Sequence, residues 1–446
     1  MGAVYLIVGI VLVLGVMVLV HEWGHFVVAR LCGVRVDVFS IGFGPRLFGW
    51  KRGATDYRVS ALPLGGYVRM AGQDLSEVDS GEKPPTGAPD ELMSKPRWQR
   101  ALISFAGPAV NLILPIFLLT GLYVYTGVPY PAYLDNPARV VGFPTSADAA
   151  PSPLKPGDTL LSINGIATPT WDQAFQALKQ AVPGAALKVE VERGGTRQTI
   201  EVPVDKSDPS RIFGYLPIRP IIEQVGAGTP ADRAGLHDGD LITAVNGNHI
   251  DFWEQFQQLT RGSNGQPMTL DLARKGQPVQ LVVTPEKGAA GMGENFYQIG
   301  IGPHEEAAYK RVSFGESVKI AGLETKDYIA QIMSVVGKLF SGRVSIRQLQ
   351  GPVGISHMAG EAVRKGPPSV IFLMVAISVN LGILNLLPIP ILDGGNILLL
   401  AVEGIMRRDL SLSFKERFVQ VGLVFLLVIF AIVMYHDILR RIASHS

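Results

Sequence analysis

Four stretches of the chain are apolar without a single charge: Met1 to Val20, Ala101 to Leu134, Gly366 to Leu392 and Phe418 to Tyr435. A helix needs about 20 such residues to cross a bilayer. The pattern therefore predicts four transmembrane helices, at residues 1–31, 101–126, 367–405 and 418–436. The first run could also be a cleavable leader. It lacks a basic segment before the apolar core and a small-residue cleavage site after it, so a retained anchor is the expectation. Between the second and third runs the pattern changes to short alternating stretches broken by turn dipeptides, which reads as β structure.

Basic residues set the orientation. Nothing basic precedes the first helix. Residues 32–100 carry Arg35, Arg46, Lys51, Arg52, Arg58, Arg69, Lys83, Lys95, Arg97 and Arg100, and the third-to-fourth connection carries Arg407, Arg408, Lys415 and Arg417. Both connections are expected in the cytoplasm. The long middle segment then faces outward, into the periplasm of a two-membrane bacterium, and the termini with it, although Arg440 and Arg441 weigh against that last point.

The middle segment contains a repeat. Leu154, Gly157, Asp158, Asn164, Gly165, Trp171 and Gly194 recur as Leu236, Gly239, Asp240, Asn246, Gly247, Trp253 and Gly276, at one offset of 82 (236 − 154) with no gap. LKPGDTLLSINGIATPTW and LHDGDLITAVNGNHIDFW resemble the PDZ domain, which takes peptides by strand addition and holds a terminal carboxylate on backbone N–H groups. Two PDZ-like domains are expected, at 136–220 and 221–308; a pair of spacer domains is the plainer alternative. The first copy has APSPL where the second has DRAGL, so an altered groove is expected there. The fold class is thus a polytopic α-helical membrane protein with four transmembrane helices, two β-rich PDZ-like extracytoplasmic domains and a membrane-associated β-loop.

Composition narrows the function. The 446 residues are 17% charged with a net charge of +2, which gives no basic face for nucleic acid. The single cysteine, Cys32, excludes an internal disulfide and a zinc site built on several thiolates.

The chemistry lies in the apolar runs. VLVHEWGHFVVAR holds His21, Glu22 and His25 in the pattern H-E-x-x-H. Four residues are just over one helical turn, so both imidazoles can share a metal while Glu22 takes a proton from the attacking water. Ionisable groups in an apolar span are costly and mark function. Catalytic zinc wants a third protein ligand, and Asp393 is the only acid between Gly366 and Val402. The first and third runs both travel inward, so His21 and Asp393 reach one depth near the cytoplasmic face. Asp393 could instead cap a helix beginning near Asn396. Pro388 and Pro390 break the helix before it, and Gly394 and Gly395 loosen the backbone after it. Asn385 could hydrogen-bond a substrate backbone. Asn111, in GPAVN, could stabilise an oxyanion or pack between helices.

HEWGH, GPAVN, the repeat and NLLPIPILDGG together resemble the site-2 proteases, the M50 zinc metalloproteases, and closely their regulator of sigma-E type with tandem PDZ domains. The resemblance implies one Zn2+ held by His21, His25 and Asp393, Glu22 as general base, and Asn385 near the substrate strand. It implies substrates that are single-pass transmembrane proteins, such as anti-sigma factors or signal-peptide remnants, with peptide termini at the PDZ grooves admitting only chains already trimmed outside. GATDYRVSALPLGGYVRM, broken by Pro63, Gly65 and Gly66, matches the family's β-loop dipping into the bilayer; an ordinary hairpin is the alternative. Residues 313–348 are expected as an amphipathic periplasmic helix, with Leu323, Ile329, Ile332, Val336 and Leu339 facing the membrane surface. A non-enzymatic scaffold and a metal transporter compete; intact Glu22 argues against the first, and the lack of further intramembrane acids against the second.

Overall fold

The computed structural model describes residues 2–72, 86–143, 152–180, 186–203, 210–226, 228–287, 296–341 and 351–443. The chain divides into a helical unit, Met1–Val128 with Arg311–Ile438, and a β-rich unit centred on Pro129–Lys310.

The helical unit begins with α1 (Gly2–Ile10) and α2 (Val16–Leu31), joined through a π turn at Val11–Gly15. A hairpin follows, β1 (Val36–Arg52) and β2 (Thr55–Met70), and then α3 (Arg97–Thr126). Val4–Leu31, Arg97–Thr126, Pro367–Leu386 and Ser413–Tyr435 are long and apolar enough to cross a membrane. Helices α2 and α3 meet at backbone distance. A Cβ on Gly24 would stand 2.6 Å from the Ala106 carbonyl oxygen, so glycine is required there. Within α3, Pro115 has no N–H, which leaves the Asn111 carbonyl without its helical donor. The Ser378 hydroxyl donates to that carbonyl at 2.7 Å instead and ties the neighbouring helix to α3.

The hairpin differs from its expected form. Pro63, Gly65 and Gly66 do not interrupt β2, and β1 runs through a segment with no readable strand pattern. Ser40 lies opposite both Tyr67 and Arg58, so the first half of β1 sits between the two ends of β2. The accompanying register shifts absorb the proline and the glycines. Val34, Val36, Val68 and Met70 join Ala29 of α2 and Ile103 of α3 in one core, which clamps the base of the hairpin beside α2. Its far end carries Phe43, Leu47, Phe48, Trp50 and Leu62 exposed.

In the β-rich unit, β3 (Val128–Pro131) leads to the first repeat: β4 (Thr159–Ile163), β5 (Ile166–Ala167), α4 (Trp171–Lys179), β6 (Leu187–Arg193) and β7 (Thr196–Val202). After the short α5 (Ser210–Phe213) come β8 (Ile222–Val225), α6 (Pro230–Arg233), β9 (Leu241–Val245), β10 (Asn248–His249), α7 (Trp253–Gly262), β11 (Met268–Arg274) and β12 (Gln277–Val283). The sheets run β5-β4-β6-β7 and β10-β9-β11-β12, the same order twice. Asn164 and Asn246 sit at φ 51 and 49 ahead of glycines at φ 80 and 78, which sets both hairpin turns. Each repeat buries an aspartate on an arginine: Asp158 takes Arg193 at 2.7 Å, and Asp240 takes Arg274 at 2.8 Å. The two copies are not gapless. The offset is 82 up to the helix but 81 from β6 and β11 onward (268 − 187), because the stretch from the start of the helix to the next strand is one residue shorter in the second copy. Gly195, not Gly194, therefore corresponds to Gly276. The first-copy segment opening APSPL lies partly outside the described residues. The unit closes with β13 (Glu286–Lys287), β14 (Tyr297–Gln298), β15 (Ile301–Pro303) and β16 (Ala307–Lys310), and β16 pairs with β3.

The helical unit resumes with α8 (Phe314–Phe340), capped by the Ser313 hydroxyl. The rest of the helix expected over 313–348 lies outside the described residues. Its buried face is not the apolar stripe. Ser317, Ala321 and Thr325, one turn apart, are the buried positions, while Leu323 is exposed; Ala321 packs with Leu119, Leu122 and Tyr123 of α3. Small residues let two helices approach closely, so they and not the larger ones define the contact. Next come α9 (Pro352–Lys365), which the sequence did not reveal, α10 (Pro367–Leu386), α11 (Asp393–Met406) and α12 (Leu412–Ala443). Segment 367–405 is thus two helices with a non-helical link through Pro388 and Pro390. Gly394 and Gly395 do not loosen it. Both are buried in the first turn of α11, where a Cβ would strike the carbonyls of Leu386, Leu387 or Ile389.

Candidate active site

His21, Glu22 and His25 lie within five residues of α2, the two histidines just over one turn apart, and Asp393 opens α11. Asp393 is the first helical residue and Leu392 the cap, with no side-chain capping bond, so the capping role does not apply. The link through Pro388 and Pro390 turns the chain so that Asp393 faces α2. His21 Nε2 lies 3.2 Å from Asp393 Oδ2, His25 Nε2 lies 3.5 Å from Asp393 Oδ1, and the two Nε2 atoms are 3.2 Å apart. Both histidines are buried.

These spacings suit a metal. A tetrahedral site with bonds of about 2.0–2.1 Å has ligand–ligand edges of about 3.3 Å. The three edges here cluster around that value, and three protein ligands leave one position for water. Two imidazoles and a carboxylate are donors that zinc accepts. No other group of three such side chains converges among the described residues.

The surroundings orient the rings. His25 Nδ1 stands 2.8 Å from the Ile103 carbonyl, which accepts its N–H and leaves the Nε2 lone pair toward Asp393. Gly107 makes room for that ring, since a Cβ there would land on it. Asn111, fully buried, lies 3.3 Å from His21 Nδ1, on the ring edge away from Asp393. It is not among the residues that line the active-site cavity, and it braces the ring from behind. Its Oδ1 has no hydrogen-bond partner among the described residues. Turning the amide over, which exchanges O and N, lets Oδ1 accept from Nδ1–H and frees Nε2 of His21 for a metal. Asn385, at the end of α10, lies 3.4 Å from His21 Nε2 on the open side.

Glu22 points toward the hairpin, with its carboxylate near the Val68 backbone of β2. Gly66 passes close: its Cβ would stand 3.7 Å from Glu22 Cγ. A cavity of about 620 Å³ joins these groups and is lined by Glu22, Tyr67, Val68, Asn385 and Asp393 as well as both histidines. Sequence reasoning missed Gly24, Gly107, the Ile103 carbonyl and the Val68 backbone. A Gly-Pro pair inside an apolar helix was a usable signal for Gly107; the backbone groups leave none.

Bilayer-length helices around an H-E-x-x-H turn and a facing aspartate define a metallopeptidase class built within the membrane. The chain belongs to peptidase family M50, whose family model matches residues 9–429. It is 33% identical over 459 residues to the Escherichia coli regulator of sigma-E protease RseP, covering 96% of this chain and 97% of that one. Protease RseP of Yersinia pestis is 32% identical over 463 residues, 99% of this chain and 100% of its own. A Neisseria meningitidis protein whose name includes the words zinc metalloprotease is 30% identical over 450 residues, 95% of this chain and 97% of its own.

Proposed function

We propose that this protein cleaves transmembrane segments of single-pass membrane proteins inside the bilayer, after a first cut outside it. The chain is a zinc metalloprotease by family membership. The observation that carries the finer reading is the triangle of His21, His25 and Asp393 with tetrahedral edges in a cavity that β2 borders.

His21, His25 and Asp393 hold one zinc per chain. A zinc held by these residues would supply Lewis-acid chemistry toward a carbonyl and lower the pKa of a water. Glu22 takes the proton from the attacking water and passes it to the leaving nitrogen. Its carboxylate lies beside β2, near the Val68 backbone and Gly66. The Ile103 carbonyl and Asn111 hold the two rings in their ligating tautomers. Asn385 donates its amide N–H to the substrate carbonyl or the developing oxyanion. The substrate enters extended along β2, because a helical peptide hides its own carbonyls. Pro388 and Pro390 keep the link before Asp393 non-helical and so line the cavity.

The setting follows from the charge pattern. The protein sits in a bacterial inner membrane, with the catalytic end of α2 near the cytoplasm and the β-rich unit in the periplasm. The two repeats are PDZ domains that meet peptide termini and exclude substrates with bulky external domains. Anti-sigma factors and signal-peptide remnants fit this substrate class, as the similarity to regulator of sigma-E proteases supports.

The test is direct. Purified protein in detergent should cleave a tagged transmembrane peptide, lose that activity to a chelator and regain it with zinc. Intact peptide after incubation with zinc-loaded, folded protein would sink the reading.

A further inference from the structure

The active-site cavity extends past the histidines to Arg100, Glu403 and Lys415. Arg100 stands on the first turn of α3, three residues before Ile103, and is only 9% exposed. Its nearest carboxylate oxygens among the described residues, on Glu403 and Asp409, both lie 3.8 Å from Nη2, beyond hydrogen-bond reach. Nη1 meets the Met93 sulfur at 3.6 Å, and Nε has no partner among the described residues. Glu403 divides its carboxylate: Oε1 accepts from Lys415 at 3.1 Å and from the Leu410 N–H at 3.0 Å, while Oε2, buried and without a hydrogen bond among the described residues, stands between Arg100 at 3.8 Å and Arg97 at 4.0 Å. Asp409 bonds Arg97 at 2.9 Å. In this cluster Arg97, Arg100 and Lys415 face Glu403 and Asp409, leaving one positive charge in excess.

A buried guanidinium without an oxygen acceptor is costly. Its planar fork of N–H donors matches a carboxylate two bonds at a time. The cavity it borders is the one that receives the peptide. We propose that Arg100 forms a carboxylate-binding subsite of the active-site cavity, holding a peptide carboxylate close to the scissile bond. The inference rests on the protease reading. Three helical residues separate Arg100 from Ile103, a rise of about 4.5 Å, so the carboxylate falls within a few residues of the bond along an extended chain. It can come from an Asp or Glu side chain of the substrate or from the C-terminus that cleavage creates.

Binding to zinc-loaded Glu22→Gln protein, read by fluorescence anisotropy in detergent, separates these cases without turnover. One peptide set places Glu or Gln at each position flanking the scissile bond; a second ends at that bond with a free acid or an amide. The Arg100-bearing protein should bind one acid about tenfold more tightly than its neutral partner, the effect of about one charge-assisted bond. Preference for the internal Glu assigns the subsite to the substrate, and preference for the terminal acid assigns it to the product. Arg100→Gln should erase the preference, Arg100→Lys should keep part of it, and Arg97→Gln, in the same charge cluster but off the cavity, should keep it. Equal binding of every acid and its neutral partner overturns the proposal. So does an Arg100→Gln protein that binds all peptides more weakly yet keeps the acid preference, which would mark a structural role. Failure of wild-type protein to cleave any peptide would count against the protease reading, whereas the acid preference is read independently of it.

Discussion

Glu22 and Asp393 are both carboxylates in one cavity, yet they face different partners. Asp393 turns its two oxygens to the two Nε2 atoms, while Glu22 lies against β2 near Gly66 and Val68. Neutralising each should therefore have a different effect. Glu22→Gln should retain zinc in full and lower cleavage by at least about a hundredfold, the usual contribution of a general base. Asp393→Asn should lose both, because a neutral amide is a poor zinc ligand and two imidazoles remain. Zinc content after dialysis, measured beside peptide cleavage, decides the matter. Wild-type zinc content in Asp393→Asn would remove it from the ligand set, and near-wild-type cleavage by Glu22→Gln would remove it as the base.

At the scale of elements, each repeat is pinned by one buried ion pair. Burial alone would raise the Asp240 carboxyl, but the paired Arg274 guanidinium and the His237 N–H hold it below the ordinary carboxylate range. A depressed folded value stabilises the fold above the ordinary unfolded value, and that stability is lost as pH falls through the folded one. Asp240→Asn should thus destabilise the second repeat at pH 7 by about 2–3 kcal/mol. The deficit should narrow once the pH drops below about 4, where the native carboxyl starts to protonate in the unfolded chain. Hydrogen exchange of β9 and β11 amides in the intact protein, at pH 7 and at lower pH, measures this; an equal deficit at both would rule out the titration. The repeat itself was legible because Asn-Gly turns demand positive φ wherever they fall. The H-E-x-x-H turn was legible because helical periodicity is local, and Asp393 because an acid is conspicuous in an apolar run. What the sequence hid depends on tertiary contact. The Gly42–Gly44 stretch gives β1 no alternation to read, and its pairing is set by β2 on two sides. The contact face of α8 is Ser317, Ala321 and Thr325, which a hydrophobic pattern discounts. The one-residue slip between the repeats was masked because Gly194-Gly195 offers a glycine at either register.

For the whole molecule, every residue proposed for chemistry belongs to the helical unit, and none to the β-rich one. β3 and β16 pair, and the Ala132 N–H donates to the Glu306 carbonyl at 2.7 Å, so the chain leaves and returns on neighbouring strands. Excising residues 133–305 and closing the gap with a short flexible linker should leave the zinc site intact. If the repeats restrict access, the shortened protein should cleave a short transmembrane peptide at a rate close to the full chain's. It should also cleave a substrate still carrying its external domain, which the full chain rejects. The comparison requires matched zinc occupancy and a confirmed fold for both proteins. Loss of activity on the short peptide would mean that the repeats deliver substrate. Continued rejection of the untrimmed substrate by an otherwise active shortened protein would place the filter in the helical unit, where α8 and α9 are among the elements with no proposed part in the chemistry.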